Sequence, residues 1–264
     1  MSERSEYGHG LPCWVDHSSK DPARAAEFYA DLFGWEAEER MPEDSPDSYL
    51  ICRLRGQPVA AVGSQQGDDA PPLWNTYIAV DDADAAVATA RAEGGAAPAD
   101  AFDVFDAGRM AVMEDPGGAW IYVWQAREMA GAGLVNEPGA LCWNELTTRD
   151  VEGSLRFYHD LFGWQANELQ RGDDGRYFTW HRAGDAGEGT EIGGLMPMEG
   201  DMWPPDLPNH WMVYFAVEDT DAACARCEEL GGKVSVPAFD VPVGRMAVLN
   251  DPVGAFFSVI ALKS

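Results

Sequence analysis

The chain has 264 residues, 46% hydrophobic and 24% charged, the make-up of a folded globular protein and not of a disordered or fibrous one. Its 18 Lys and Arg stand against 45 Asp and Glu, a formal net charge of -27, which argues against nucleic acid or an anionic membrane as partner. No apolar stretch approaches the roughly 20 residues that cross a bilayer, no apolar core of a secretory signal follows Met1, and five cysteines fit a reducing cytoplasm.

In chain order, Leu11 to Val15 alternates as a short strand. Asp21-Pro22 supplies a helix N-cap with proline at the first helical position, and Ala25, Phe28, Tyr29, Leu32 and Phe33 recur at helical spacing. Gly34 fits a left-handed cap, Trp35 opens a strand, and two more strands are expected near 48–54 and 58–63. A second unit follows in the same order: a strand at 75–80, a helix at 82–93 ending at Gly94-Gly95, and strands near 109–113 and 119–124.

The whole arrangement then repeats. Cys13-Trp14, Asp21 and Phe28-Tyr29-Ala30-Asp31-Leu32-Phe33-Gly34-Trp35 return 129 positions later as Cys142-Trp143, Asp150 and Phe157-Tyr158-His159-Asp160-Leu161-Phe162-Gly163-Trp164. Downstream, Gly108-Arg109-Met110-Ala111-Val112 and Asp115-Pro116 return as Gly244-Arg245-Met246-Ala247-Val248 and Asp251-Pro252. The expected fold class is α+β, with two tandem domains, each a pair of βαβββ modules curled into a cup. Domain 1 takes 1–127, a Gly- and Pro-containing linker takes 128–139, and domain 2 takes 140–264. The halves are expected to pack together, as a monomer or a homodimer.

Asp, six residues, Phe-Tyr, then Leu-Phe-Gly-Trp, closed by Asp-Pro-x-Gly, resembles the vicinal oxygen chelate superfamily of glyoxalase I, extradiol dioxygenases and bleomycin resistance proteins. The tandem layout is similar to two-domain glyoxalase-like or hydroxylase-type proteins, some of which accompany aromatic polyketide pathways. The resemblance implies a divalent metal held by a first-strand His, a ligand on the matching strand of the next unit and a closing Glu. Here those positions hold Trp14, Asn75 and Tyr122 in the first half and Trp143, Met212 and Ser258 in the second. No metal and no other cofactor is therefore expected, although a register slip would bring His210 to the second position.

Alternation along strands then places Asp16 beside Trp14 and Glu145 beside Trp143 in the cups, as candidate acid/base groups. Tyr77, Trp120 and Trp124 join the first cup, and Tyr214, Phe256 and Ile260 the second. Arg109 and Arg245 are candidates to hold a carboxylate or an enolate, with a structural ion pair as the alternative. Cys13 and Cys142 are assigned to the opposite face, under the helices, and His9 and His17 to loop ends. Cys224 and Cys227 share a helix face and carry no redox or zinc expectation.

Two functions remain open. One is a metal-independent enzyme acting on a planar aromatic, polycyclic or quinone-like small molecule by acid/base or oxygenation-related chemistry in natural-product biosynthesis. The other is a protein that sequesters or carries such a compound, as metal-free bleomycin resistance proteins do. The more polar first cup is expected to be the working one.

Overall fold

The computed structural model describes residues 2–65, 67, 70–170, 175–185, 187, 189–201 and 203–263. The first half runs β1 (Pro12–Ser19), α1 (Pro22–Phe33), β2 (Glu36–Glu39), β3 (Tyr49–Leu54), β4 (Gln57–Ser64), β5 (Leu73–Ala79), α2 (Ala83–Ala92), β6 (Phe102–Val104), β7 (Gly108–Glu114) and β8 (Trp120–Ala126). The second half repeats it with β9 (Leu141–Thr148), α3 (Val151–Phe162), β10 (Gln165–Gln170), β11 (Arg176–His181), β12 (Gly193–Pro197), β13 (His210–Ala216), α4 (Thr220–Glu229), β14 (Lys233–Val241), β15 (Gly244–Asn250) and β16 (Phe256–Leu262). The second strand of the second module, β6, escapes a periodicity reading because it is only three residues long.

Local chemistry sets the helix ends. Each helix starts at an aspartate, Asp21, Asp82, Asp150 or Asp219, whose side chain accepts a backbone N–H of the first turn. Gly34 and Gly163 close α1 and α3 at φ 75° and 71°, a left-handed conformation that glycine adopts without penalty. The chain thus reverses sharply and delivers Trp35 and Trp164 into the core. There each indole N–H reaches out of its own half, Trp35 to the Gly139 carbonyl at the end of the linker and Trp164 to the Gly10 carbonyl of the first half, both at 2.7 Å.

Each half forms one eight-stranded mixed sheet, in the order β2-β3-β4-β1-β5-β8-β7-β6 and β10-β11-β12-β9-β13-β16-β15-β14. Their convex faces pack on each other through two cores. Phe28, Tyr29, Phe33, Trp35 and Trp74 of the first half meet Val213, Phe215, Leu249 and Phe257 of the second. Ile78, Val87 and Ile121 meet Phe157, Tyr158, Trp164, Trp180 and Trp211. Helix α1 accordingly neighbours α4, and α2 neighbours α3.

The aspartate of each Asp-Pro turn ties the halves together. Asp251 Oδ1 accepts the N–H groups of Val253, Gly254 and Ala255, while Oδ2 accepts the Tyr29 hydroxyl at 3.0 Å. Asp115 repeats this with Tyr158 at 3.1 Å. One difference breaks the symmetry: His17 Nε2 lies 2.8 Å from Asp251 Oδ2 with both side chains inaccessible to solvent, whereas the matching position beside Asp115 is Leu146. His17 is therefore not at a loop end but inside β1, facing the seam. Burial pushes the Asp251 carboxyl up, yet His17 and the loop N–H groups outweigh it and hold it below its ordinary range. Asp115, with no imidazole beside it, is pushed above that range by burial.

Cys13 also departs from expectation. A bulge between Pro12 and Trp14 turns it toward the linker, where it clusters with Ala132 and Val135 and not under α1.

The asymmetry gives an expected order of stability. Asp251→Ala strands a buried imidazole as well as loop donors and should cost about 3–5 kcal/mol, against about 1–3 kcal/mol for Asp115→Ala, read from urea unfolding at neutral pH. Because the Asp251 pKa is depressed on folding, its contribution is present above the unfolded value of about 3.9 and fades as pH falls through the lower folded value.

Candidate functional site

The concave face of each sheet is centred on its first and fifth strands. In the first cup Trp14 stands opposite Tyr77 and Asp16 opposite Asn75, and Tyr77 is beside Tyr122 on β8. Asp16 Oδ1 accepts Asn75 Nδ2 at 2.7 Å, and Oδ2 accepts the hydroxyls of Tyr77 at 2.7 Å and Tyr49 at 3.1 Å. Asn75 Nδ2 also lies 3.0 Å from Ser18 Oγ, which fixes the amide from behind. Trp14 Nε1 donates to the Tyr49 hydroxyl at 3.2 Å, so indole, phenol and carboxylate form a continuous chain.

Asp16 is only 5% exposed. Burial pushes its carboxyl above the ordinary range, against the opposing pull of the hydrogen bonds from Tyr77, Asn75 and Tyr49. The phenols respond in the opposite sense to acids near a cation: burial and the Asp16 charge drive Tyr77, Tyr49 and Tyr122 up, so all three remain protonated donors. Tyr122 is half-buried, its ring centroid 4.9 Å from that of Tyr77.

The second cup keeps the plan with different chemistry. Trp143 stands opposite Tyr214, Glu145 opposite Met212, and Tyr214 beside Ser258. This pairing leaves Met212, not His210, at the position facing the acid; His210 Nδ1 lies 2.9 Å from the Pro208 carbonyl oxygen. Tyr214 donates to Glu145 Oε1 at 2.8 Å and Trp143 Nε1 to the Tyr177 hydroxyl at 3.1 Å. Met212 and Ser258 replace the amide and phenol of the first cup. Trp143 is half-buried where Trp14 is 3% exposed.

The difference in closure comes from the chain that follows β8 together with the segment that precedes β1. Tyr7, Met129, Ala132 and Val135 pack with Trp14, Tyr77 and Trp124 into one cluster on the first cup. Trp124 is buried there, with Nε1 donating to the Met129 carbonyl at 2.7 Å, so it is part of the wall. Trp120 and Phe256 sit at the rims of the two cups, 44% and 53% exposed. Ile260 is buried in the second.

Arg109 and Arg245 lie outside both groups. Arg109 pairs with Asp84 and Asp103, and Arg245 with Asp221 and Asp240, because the alternation that points Met110 and Val112 toward the cup sends the arginine outward. Tyr49 and Tyr177 are the residues that sequence reasoning missed. Their signal was the repeat itself, since they stand 128 apart on matching strands, but only the fold shows the phenol reaching across β4 to the first strand. Gly63 makes room for it: a Cβ there would come within 2.9 Å of the Tyr49 ring.

The donors do not fit the divalent metal used by other members of the fold. The indole N–H brings no lone pair, and beside the Asp16 carboxylate the remaining oxygens are those of neutral phenols and the buried, unpartnered Asn75 Oδ1, one anionic ligand with no imidazole or second carboxylate to complete a divalent site. Asp16 stands alone among neutral side chains, and among the described residues no three His, Cys, Asp or Glu converge.

Comparison with known proteins agrees with the architecture. The profile described as glyoxalase/bleomycin resistance protein/dioxygenase superfamily matches residues 14–123 and 140–259. CFP32 of Mycobacterium tuberculosis, which carries a provisional glyoxylase name, is 44% identical over 98% of both chains. The anthracycline biosynthesis protein DnrV of Streptomyces peucetius is 36% identical over 98% of this chain and 96% of its own. Among solved structures, an Mn(II)-bound glyoxalase from Novosphingobium aromaticivorans covers 100% of this chain and 84% of its own at TM-score 0.65 and 16% identity, a likeness of fold. The 2,3-dioxygenase LapB of Pseudomonas sp. KL28 does so over 97% and 94% at TM-score 0.64 and 15% identity.

With their guanidinium groups committed to surface carboxylates, Arg109→Gln and Arg245→Gln should leave ligand affinity and the pH dependence of the cups unchanged. Fluorescence titration of the buried tryptophans would show this, and a large loss of affinity in either variant would place the arginine in a cup.

Proposed function

We propose that the chain, which belongs to the glyoxalase/bleomycin resistance protein/dioxygenase superfamily, acts without a metal on a planar aromatic or quinone-like small molecule in natural-product biosynthesis, with Asp16 as the proton-handling group. The observation that carries this reading is the desolvated Asp16 carboxylate, its pKa raised, enclosed by three neutral donors and an aromatic wall. The anthracycline biosynthesis relative supports the substrate class.

A ligand entering the first cup meets the half-buried phenols Tyr49 and Tyr122 before it meets Asp16. A phenolic or enolic O–H of the ligand placed against Tyr49 passes its proton to the Tyr49 oxygen as Tyr49 passes its own to Asp16 Oδ2. Trp14 Nε1 steadies the negative charge that develops on the Tyr49 oxygen during the exchange, and Tyr77 and Asn75 hold the carboxyl in place. Tyr122 is then available to hydrogen-bond a neighbouring ligand oxygen. The aromatic walls supply stacking area and exclude water, which keeps the carboxyl basic enough for the transfer.

A second reading, capture of the compound without turnover, is favoured by one feature: both oxygens of Asp16 are already hydrogen-bonded in the free protein. The two separate at one substitution. Asp16→Asn should abolish conversion of a polycyclic aromatic substrate while its affinity stays within tenfold, about 1.4 kcal/mol, and chelator treatment should leave the wild-type rate unchanged. Product formation that survives Asp16→Asn would refute the assignment, and binding without any product across a panel of aromatic natural products would favour capture.

A further inference from the structure

The two seams between the halves are related by the repeat, yet only one of them is filled. Gln65 N–H donates to the Ser19 carbonyl as Met198 N–H does to that of Thr148, and Leu73 pairs with Ser18 as His210 pairs with Thr147. Residues 65 and 198 are therefore equivalent, as are Pro72 and Asn209. In the second half Asn209 bridges the seam, its Oδ1 accepting the Arg149 N–H at 2.9 Å and its Nδ2 donating to the Gly117 carbonyl at 2.8 Å. The Arg149 guanidinium is tied to the Pro204 carbonyl, and Met198 is buried and apolar.

None of this is available to the first half. Pro72 has no side-chain donor or acceptor, Lys20 stands where Arg149 does, and Arg24 stands where Gly153 does. The result is a groove of about 440 Å³, with Lys20, Asp21 and Arg24 on one side and Pro72, Pro252 and Val253 on the other. Asp21 Oδ1 is engaged in capping α1 through the Arg24 N–H. Neither Lys20 nor the Arg24 guanidinium has an ion-pair partner among the described residues, in a protein where carboxylates outnumber cations and hold most arginines. Gln65, on the groove wall, buries an amide oxygen that accepts no hydrogen bond, while its Nε2 donates to Gly67. That oxygen is inaccessible in the free protein, and a groove ligand reaches it as the half-buried Gln65 side chain turns outward, a contact that recovers the free energy a buried acceptor without a donor costs.

We propose that this groove is a second ligand site, separate from the cups, for a small organic acid. Its carboxylate would pair with Lys20 and Arg24, an adjacent hydroxyl or N–H would donate to Gln65 Oε1, and an apolar body would lie on Pro72, Pro252 and Val253. A guanidinium and an ammonium converging on one anion suit a carboxylate, and the proline wall suits a flat hydrocarbon group.

The probe is 3-phenyllactate, which carries all three features, with its methyl ester and 3-phenylpropionate as controls. Titration of the full chain, followed by NMR of the Gln65 side-chain amide, should show saturable binding near 1 mM, weaker for the deoxy acid and absent for the ester. Lys20→Ala with Arg24→Ala should weaken it at least tenfold. Pro72→Asn, which restores the bridging residue of the filled seam without removing a charge, should also abolish it, and Trp14→Ala should not affect it. Absence of saturable binding, equal binding of the ester, or loss of binding in Trp14→Ala alone would each overturn the proposal.

Discussion

A strand buried on both faces must divide its side chains between two interiors, and β1 and β9 are such strands. Alternation sends Trp14 and Asp16 to the cup and Val15 and His17 to the seam. The cup residue and the core residue are thus neighbours in sequence and belong to different environments, one holding a proton-bearing group and the other holding the halves together. A one-residue slip would exchange the two sets, placing a carboxylate in the hydrocarbon core and a tryptophan pair against the wrong sheet. The Asp-Pro turns, clamped from the opposite half by Tyr29 and Tyr158, oppose that slip.

The repeat carries most of what the sequence reveals. Two copies of a long motif at a constant offset identify four modules, and period-two alternation from Trp14 and Trp143 puts Asp16 and Glu145 on the same strand faces as those indoles, where β5 and β13 bring Asn75 and Met212 opposite the acids. What the sequence withholds depends on contacts between segments far apart in the chain. Tyr49 approaches Asp16 across an intervening strand, over a glycine. His17 finds Asp251 234 positions away, a pairing that no local pattern encodes. Arg109 and Arg245 were candidates for the cup because the motif around them is repeated, but the repetition records a shared surface ion pair with the helix that precedes them. Closure of the first cup by Met129 and Tyr7 likewise arises from the linker and the N-terminal segment, whose composition marks them only as connections.

Divergence between the halves is concentrated where function has room to act. The core aromatics are nearly duplicated, since Tyr29, Phe33, Trp35 and Trp74 have Tyr158, Phe162, Trp164 and Trp211 as counterparts with similar ring geometry. The cup floors are not: Asn75 and Tyr122 face Asp16, while Met212 and Ser258 face the side of Glu145. The seams differ too, one bridged by Asn209 and the other open at Pro72. Packing two convex sheets keeps the aromatic frame of the core alike in both seams, although His17 in one stands where Leu146 does in the other, and it imposes nothing comparable on the concave faces.

The proposed chemistry depends on the protonation behaviour of one carboxyl group, whose burial outweighs three hydrogen bonds that favour its charged form. The most direct measurement is an NMR titration of the Asp16 13Cγ resonance, assigned by comparison with Asp16→Asn. The structure requires a midpoint above the ordinary aspartate value of about 3.9, moving further upward when Tyr77 is replaced by Phe and one stabilising donor is removed. A midpoint at or below that value would mean that the hydrogen bonds dominate, leaving a permanently ionised carboxylate that holds the cup together and moves no proton.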